Sequence, residues 1–219
     1  MESHRKFPLL QLALDFFGIE DAITISELLQ DDVDIIEIGT PMLLQHGLHA
    51  IRRLKASLNV AAVLADLKII DAGFHEADMA FQSGADIVTV LGLASDTTVS
   101  EVLKAARQYE HRQVMADLIE CRDVGLRSQQ LIELGVDIIC VHTAVDRQKS
   151  GDNPLQELQA VRQRCPNAMI AVAGGVSLKM APNITVSRPA IVVVGSTITN
   201  NPDPLKITQQ LQLAFKECL

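Results

Sequence analysis

Apolar residues along this chain alternate between two rhythms. Short runs of Val, Ile, Leu and Ala, five to eight residues long, occupy Leu9–Leu14, Val33–Ile38, Val60–Leu67, Asp86–Leu91, Gln113–Leu118, Val136–Val141, Ala168–Ala173 and Ala190–Val194. Near-continuous apolar runs of that length, bounded by turn residues, predict strands of a buried parallel sheet. Longer segments of helical period separate them. Asp96-Thr97-Thr98 offers N-caps ahead of Val99, Val102, Leu103 and Ala106, and Asp203-Pro204 opens a final helix carrying Ile207, Leu211, Ala214 and Phe215. Two helices end in one kind of turn, Gln82-Ser83-Gly84-Ala85-Asp86 and Glu133-Leu134-Gly135-Val136-Asp137. The weakest helix lies in residues 177–189, which hold Pro182, Asn183 and Pro189. Eight strand-and-helix units, recurring about every 26 residues, predict an α/β protein of the (β/α)8 TIM-barrel type. An open doubly wound sheet lacks its usual G-x-G-x-x-G turn here.

At 219 residues the chain suits one barrel domain spanning 1–219. With 48% hydrophobic and 21% charged residues, disorder is excluded. A net charge of -8 and the lack of bases interleaved with aromatics argue against nucleic acid as a partner. The longest apolar runs, six residues, are far short of the roughly 20 that span a bilayer, so no membrane partner is expected. His4, Arg5 and Lys6 are followed too soon by Asp15 for a signal peptide. Cys121, Cys140, Cys165 and Cys218 form no C-x-x-C pair, which points to a reduced, cytoplasmic protein.

Ionisable residues collect at one end of successive strands: Asp15 at the first, Glu37 at the second, Asp66 and Lys68 at the third, Asp117 at the fifth and His142 at the sixth. In a barrel these ends form the face where active sites are built. Single strand-end carboxylates are mostly caps or turn residues; five strands together point to chemistry. Asp66 and Lys68, two apart, share a strand face, which holds an ammonium beside carboxylates. Glu37 and Asp66 are oxygen ligands suited to a divalent cation such as Mg2+. A structural Lys68–Glu37 ion pair is the competing reading. Gly174-Gly175 after the seventh strand and Gly195-Ser196 after the eighth place bare backbone amides where phosphate is held in such barrels. His46, His49, His75 and His111, with His4, read as surface or loop residues, and Arg52, Arg53 and Lys55 as a solvated helix face.

The stretches Gln11-Leu12-Ala13-Leu14-Asp15, Val33-Asp34-Ile35-Ile36-Glu37-Ile38-Gly39-Thr40-Pro41, Asp66-Leu67-Lys68-Ile69-Ile70-Asp71-Ala72-Gly73 and Val141-His142-Thr143 together resemble the 3-hexulose-6-phosphate synthases. These belong to the orotidine 5'-monophosphate decarboxylase suprafamily. The resemblance runs from Leu9 to Thr199 and continues in a matching terminal helix. It implies a (β/α)8 homodimer in which Asp71 reaches the neighbouring subunit's site, with Mg2+ on Glu37 and Asp66. The implied reaction is a reversible aldol condensation of formaldehyde with D-ribulose 5-phosphate through a metal-stabilised enediolate, giving D-arabino-hex-3-ulose 6-phosphate. His142 would transfer the proton and Lys68 would add a fixed positive charge for the developing oxyanion, with Asp66 and Asp71 completing the catalytic set. Asp15 and Asp117 would orient sugar hydroxyls, and Gly174, Gly175, Gly195 and Ser196 would hold the phosphate.

The related 3-keto-L-gulonate-6-phosphate decarboxylases share this barrel, the D-x-K-x-x-D motif and the metal. They carry Glu where Asp117 stands and Arg where Val145 stands, which favours the synthase. Ala144, Phe74 and His75 depart from the common synthase pattern. The decarboxylase therefore remains the alternative activity, and a barrel that binds phosphosugar without catalysis is a third reading.

Overall fold

Eight parallel strands pair in sequence order and the eighth closes on the first, forming a (β/α)8 TIM barrel. The strands are β1 (Leu9–Leu14), β2 (Ile35–Ile38), β3 (Ala62–Ile69), β4 (Ile87–Leu91), β5 (Gln113–Asp117), β6 (Ile138–His142), β7 (Ile170–Ala173) and β8 (Ile191–Val194). Around them run α1 (Ile19–Leu29), α2 (Thr40–His46), α3 (His49–Ser57), α4 (Gly73–Gln82), α5 (Asp96–Ala106) and α6 (Val124–Leu134). The second half adds α7 (Val145–Gln148), α8 (Leu155–Arg164), α9 (Ala181–Val186), α10 (Ser196–Thr199) and α11 (Pro204–Glu217). This computed structural model describes residues 8–15, 18–59, 62–148 and 150–217. Val60, at the head of the third predicted strand, lies outside the described residues, as do His4, Arg5, Lys6 and Cys218.

Alternation along the strands sorts their side chains into two cores. Outward residues such as Leu12, Ile36, Val63, Val88, Val114 and Val172 pack under the helices. Inward residues fill the barrel itself: Ala13, Ile35, Leu64, Ile87, Met115, Ile138, Cys140, Ala171, Ala173, Ile191 and Val193. Among the described residues no helix is long and apolar enough to cross a membrane.

Several boundaries differ from the sequence reading for local reasons. β2 starts at Ile35 rather than Val33, because Asp34 acts as a clamp: its N–H donates to the Leu10 carbonyl (2.9 Å) and its carboxylate accepts the Leu10 N–H (3.0 Å). Asp86 makes the same double contact with Val63, and Asp137 with Val114, at the feet of β4 and β6. Helix α5 is capped by Ser95, whose hydroxyl accepts the Thr98 N–H at 3.1 Å, one residue before the predicted caps. Asp203 caps α11 through the Lys206 N–H. The weak segment at 177–189 resolves into a 3-10 turn (Leu178–Met180) and the short α9. Arg52, Arg53 and Lys55 bond across to Ser83, Glu20 and Asp86, so α3 is tied to its neighbours by the residues expected only to face water.

Candidate active site

The apolar filling of the barrel is also the floor of its polar mouth. Two residues beyond Ala13, Ile35, Leu64, Ile87, Met115 and Cys140, on the same strand faces, stand Asp15, Glu37, Asp66, Thr89, Asp117 and His142. Six neighbouring strands thus aim polar groups into one space at the C-terminal face.

Asp66 and Asp117 are its buried anchors, at 4% and 3% exposure. One oxygen of Asp66, Oδ1, accepts the Thr89 hydroxyl at 2.9 Å. The other accepts the Thr40 hydroxyl at 2.9 Å and the Lys68 ammonium. Lys68 Nζ also lies 3.5 Å from Asp117 Oδ2, so the ammonium bridges two carboxylates. Asp117 Oδ2 in turn meets His142 Nδ1 at 2.8 Å, and its Oδ1 accepts the Ile119 N–H at 2.9 Å. Lys68 pairs with Asp66 and Asp117, while Glu37 accepts the Gln11 amide at 2.7 Å. The structural Lys68–Glu37 pair considered above is not among these contacts.

Burial and crowded charge set the protonation of this cluster. Glu37 is pushed up to about 8 by burial and then by the Asp66 carboxylate, against the smaller opposing pull of Gln11 and Lys68. Asp15 is raised for the same two reasons. Burial works against the charge of Lys68, yet Asp66 and Asp117 outweigh it and hold the ammonium above its ordinary range. Burial opposes charge on Asp117 and His142 too. Their mutual hydrogen bond and attraction win, holding Asp117 below and His142 above their usual values. With Asp117 ionised the shared bond places the proton on His142 Nδ1, which leaves Nε2 with its lone pair when the ring is neutral.

The remaining predicted residues lie at the rim. Asp71 is exposed beyond β3, its carboxylate accepting the Ala72 N–H at 2.7 Å, and the structure does not bring it to the cluster within one chain. Gly174 adopts φ +100°, and a Cβ there would stand 2.4 Å from the Thr143 carbonyl, so only glycine allows the β7 loop to lie this close to the β6 loop. Gly175 follows at φ +70°. Gly195 and the exposed Ser196 open α10, and the Thr197 hydroxyl donates to the Val176 carbonyl at 2.6 Å, binding the two glycine loops together. Gln11, Thr40, Thr89 and Thr197 have no role assigned from sequence. Threonine in an apolar strand is ordinary, and only the inward register marks Gln11 and Thr89.

Glu37 and Asp66 stand on adjacent strands. Among the described residues no group of three or more His, Cys, Asp or Glu side chains is arranged to hold a metal. Two carboxylates suffice for Mg2+, which keeps several waters and takes substrate oxygens. The donors fit such an ion: Glu37 and Asp66 crowd negative charge, and Gln11, whose amide N–H donates to Glu37, has a buried Oε1 with no hydrogen-bond partner.

A closed barrel with a charged lysine and a histidine–carboxylate pair at its strand ends defines a (β/α)8 enzyme. The chain belongs to the orotidine 5'-phosphate decarboxylase / HUMPS family, whose profile it matches over residues 8–211. It is 38% identical over 207 residues to the 3-hexulose-6-phosphate synthase of Staphylococcus haemolyticus, covering 94% of this chain and 98% of that one. The crystal structure of 3-hexulose-6-phosphate synthase from Salmonella typhimurium superposes with a TM-score of 0.92 at 37% identity, covering 96% of this chain and 100% of that one. The 3-keto-L-gulonate-6-phosphate decarboxylase from Vibrio cholerae shares the fold, with a TM-score of 0.86 at 20% identity over 98% of this chain and all of that one. By its relatives the chain is an enzyme of the carbon–carbon lyase class.

Proposed function

We propose that this enzyme joins formaldehyde to D-ribulose 5-phosphate, reversibly, to give D-arabino-hex-3-ulose 6-phosphate. The observation that carries the reading is the Asp117–His142 pair, 2.8 Å apart, set beside the Lys68 ammonium at the barrel mouth. That arrangement suits removal of a proton next to a carbonyl, the first demand of an aldol reaction. Near-full-length similarity to 3-hexulose-6-phosphate synthases supports the choice of substrates.

His142 Nε2 takes a proton from C1 of ribulose 5-phosphate, and the electron pair of that C–H bond passes into a 1,2-enediolate. Lys68, held charged by Asp66 and Asp117, faces the developing oxyanion. C1 then bonds to the formaldehyde carbon, the carbonyl π pair moves to the formaldehyde oxygen, and the proton on His142 returns to that oxygen. Asp117 fixes the His142 ring throughout. Glu37 and Asp66 would hold Mg2+, which when bound supplies a Lewis acid for the sugar oxygens. Asp15, just past the end of β1, would accept a sugar hydroxyl. The amides of Gly174, Gly175, Gly195 and Ser196 receive the phosphate.

A second copy of the chain completes the site through Asp71. Its exposed place next to Ile70, itself 53% exposed, supports an apolar interface next to the mouth. Co-expressing Lys68→Ala and Asp71→Asn chains, each nearly inactive alone, is expected to restore about a quarter of wild-type activity, since half of the mixed dimers' sites are intact. No restoration would place Asp71 in its own subunit's site or outside the chemistry. Buried, unpaired Cys121, Cys140 and Cys165 support a reducing, cytoplasmic setting.

The function is tested by formaldehyde loss with ribulose 5-phosphate in Mg2+, then EDTA, then restored Mg2+, alongside carbon dioxide release from 3-keto-L-gulonate 6-phosphate. Metal-dependent formaldehyde loss is the expected result. Carbon dioxide release without it would overturn the proposal in favour of the decarboxylase.

A further inference from the structure

The third strand does not run regularly past the site. Ala65 pairs with Val88, but the next matched pair is Ile69 with Val90, so β3 spends four residue steps where β4 spends two. The surplus is taken up around Lys68, whose backbone turns into the left-handed region at φ 48°. A long side chain adopts that conformation only where its surroundings dictate it.

Thr89 on β4 makes the decisive contacts. The Lys68 N–H, displaced from the regular ladder, donates to the Thr89 hydroxyl at 2.8 Å. That hydroxyl has one proton, and with its oxygen accepting from Lys68 the proton goes to Asp66 Oδ1 at 2.9 Å. One group therefore links the Lys68 backbone to the Asp66 side chain inside a site where Thr89 is 3% exposed. Its β-branched side chain is stiff at χ1, so the oxygen is held in place before substrate arrives. Thr40 serves differently: it donates to the Asp66 carbonyl or carboxylate and does not touch the Lys68 backbone.

We propose that Thr89 is a positioning residue for the reaction, its hydroxyl holding the β3 irregularity in the conformation that sets the Lys68 ammonium beside the Asp66 carboxylate. Thr89 touches no reacting atom and acts through its two neighbours. The proposal rests on the reading of Lys68 and Asp66 as groups of the reacting centre.

Thr89→Val keeps the shape and removes the hydroxyl; Thr89→Ser keeps the hydroxyl. In the formaldehyde assay Thr89→Val is expected to lower kcat on the order of 10²-fold while KM for ribulose 5-phosphate stays within about twofold, the signature of a displaced catalytic group. Thr89→Ser is expected to stay within about threefold of wild type in kcat, since its hydroxyl can make both bonds. A second readout needs no turnover: the lysine side-chain NMR signal that Lys68→Arg removes should move toward the exposed lysines in Thr89→Val and hold its place in Thr89→Ser. Wild-type kcat with an unmoved Lys68 signal in Thr89→Val would overturn the proposal, as would a serine variant that fails like valine. Should the wild type not consume formaldehyde with ribulose 5-phosphate, the functional reading falls, and the Lys68 signal still decides the role of Thr89.

Discussion

Replacing Lys68 by alanine is expected to lower kcat by about 10³-fold while the far-UV circular dichroism of the barrel is retained. The ammonium is fixed by two buried carboxylates, so it needs no reorganisation when charge develops on the sugar oxygen; loss of one such donor costs about 10²- to 10³-fold. The loss here falls at the upper end because Asp15, Glu37, Asp66 and Asp117 then face the oxyanion without their shared cation. Their carboxyl groups can take up protons, as burial and the neighbouring Asp66 charge already favour at Glu37, which lets the fold survive the change. Lys68→Arg is not expected to rescue turnover, since a planar fork cannot replace a compact charge between Asp66 and Asp117. Steady-state kinetics beside dichroism checks this, and turnover within tenfold of wild type in Lys68→Ala would remove Lys68 from the mechanism.

The second large effect is expected at His142. His142→Asn should slow the reaction by about 10²- to 10⁴-fold, the usual worth of a positioned base. It should equally abolish the exchange of the C1 proton of ribulose 5-phosphate into D2O in the absence of formaldehyde. A base must be neutral to accept a proton, and Asp117 raises the His142 pKa, so the acid limb of kcat/KM should lie above the ordinary histidine value of 6.5. Asp117→Asn removes the cause and should move that limb to lower pH. An unmoved limb would mean that a different group titrates. Stability follows the same pair. The protonated His142 adds stability that is complete below its unfolded pKa and fades as pH rises through the higher folded value. Asp117, held low, adds stability above its unfolded pKa that is lost as pH falls through the folded one.

The ring of ionisable residues was legible because a strand has a period of two and a barrel has one inside. Asp15, Glu37, Asp66, Asp117 and His142 each end an apolar run, and costly residues in that position announce themselves. Lys68 was placed on the Asp66 face by regular alternation. The two side chains do meet, but through a left-handed residue in an irregular strand, which alternation cannot reveal. Thr89 was invisible for the opposite reason: threonine is not unusual in a strand. At the start of α5, four consecutive residues able to cap, Ser95 to Thr98, left the choice to backbone geometry, and Ser95 holds the extended conformation required. Asp71 was legible only through resemblance, since its place in one chain is a turn.

At the opposite end from the chemistry, the clamps of Asp34, Asp86 and Asp137 each fasten an even-numbered strand to the odd-numbered one before it. At the matching place Ala190 reaches the Ile170 carbonyl by its backbone alone. The wall is thus four two-stranded staves, three of them riveted by a carboxylate. A chain divided after β2, β4 or β6 leaves every rivet whole within one fragment, whereas a division after β1, β3 or β5 parts a carboxylate from the amide it holds. A cut in the loop after β2, β4 or β6 therefore spares every carboxylate rivet of this barrel.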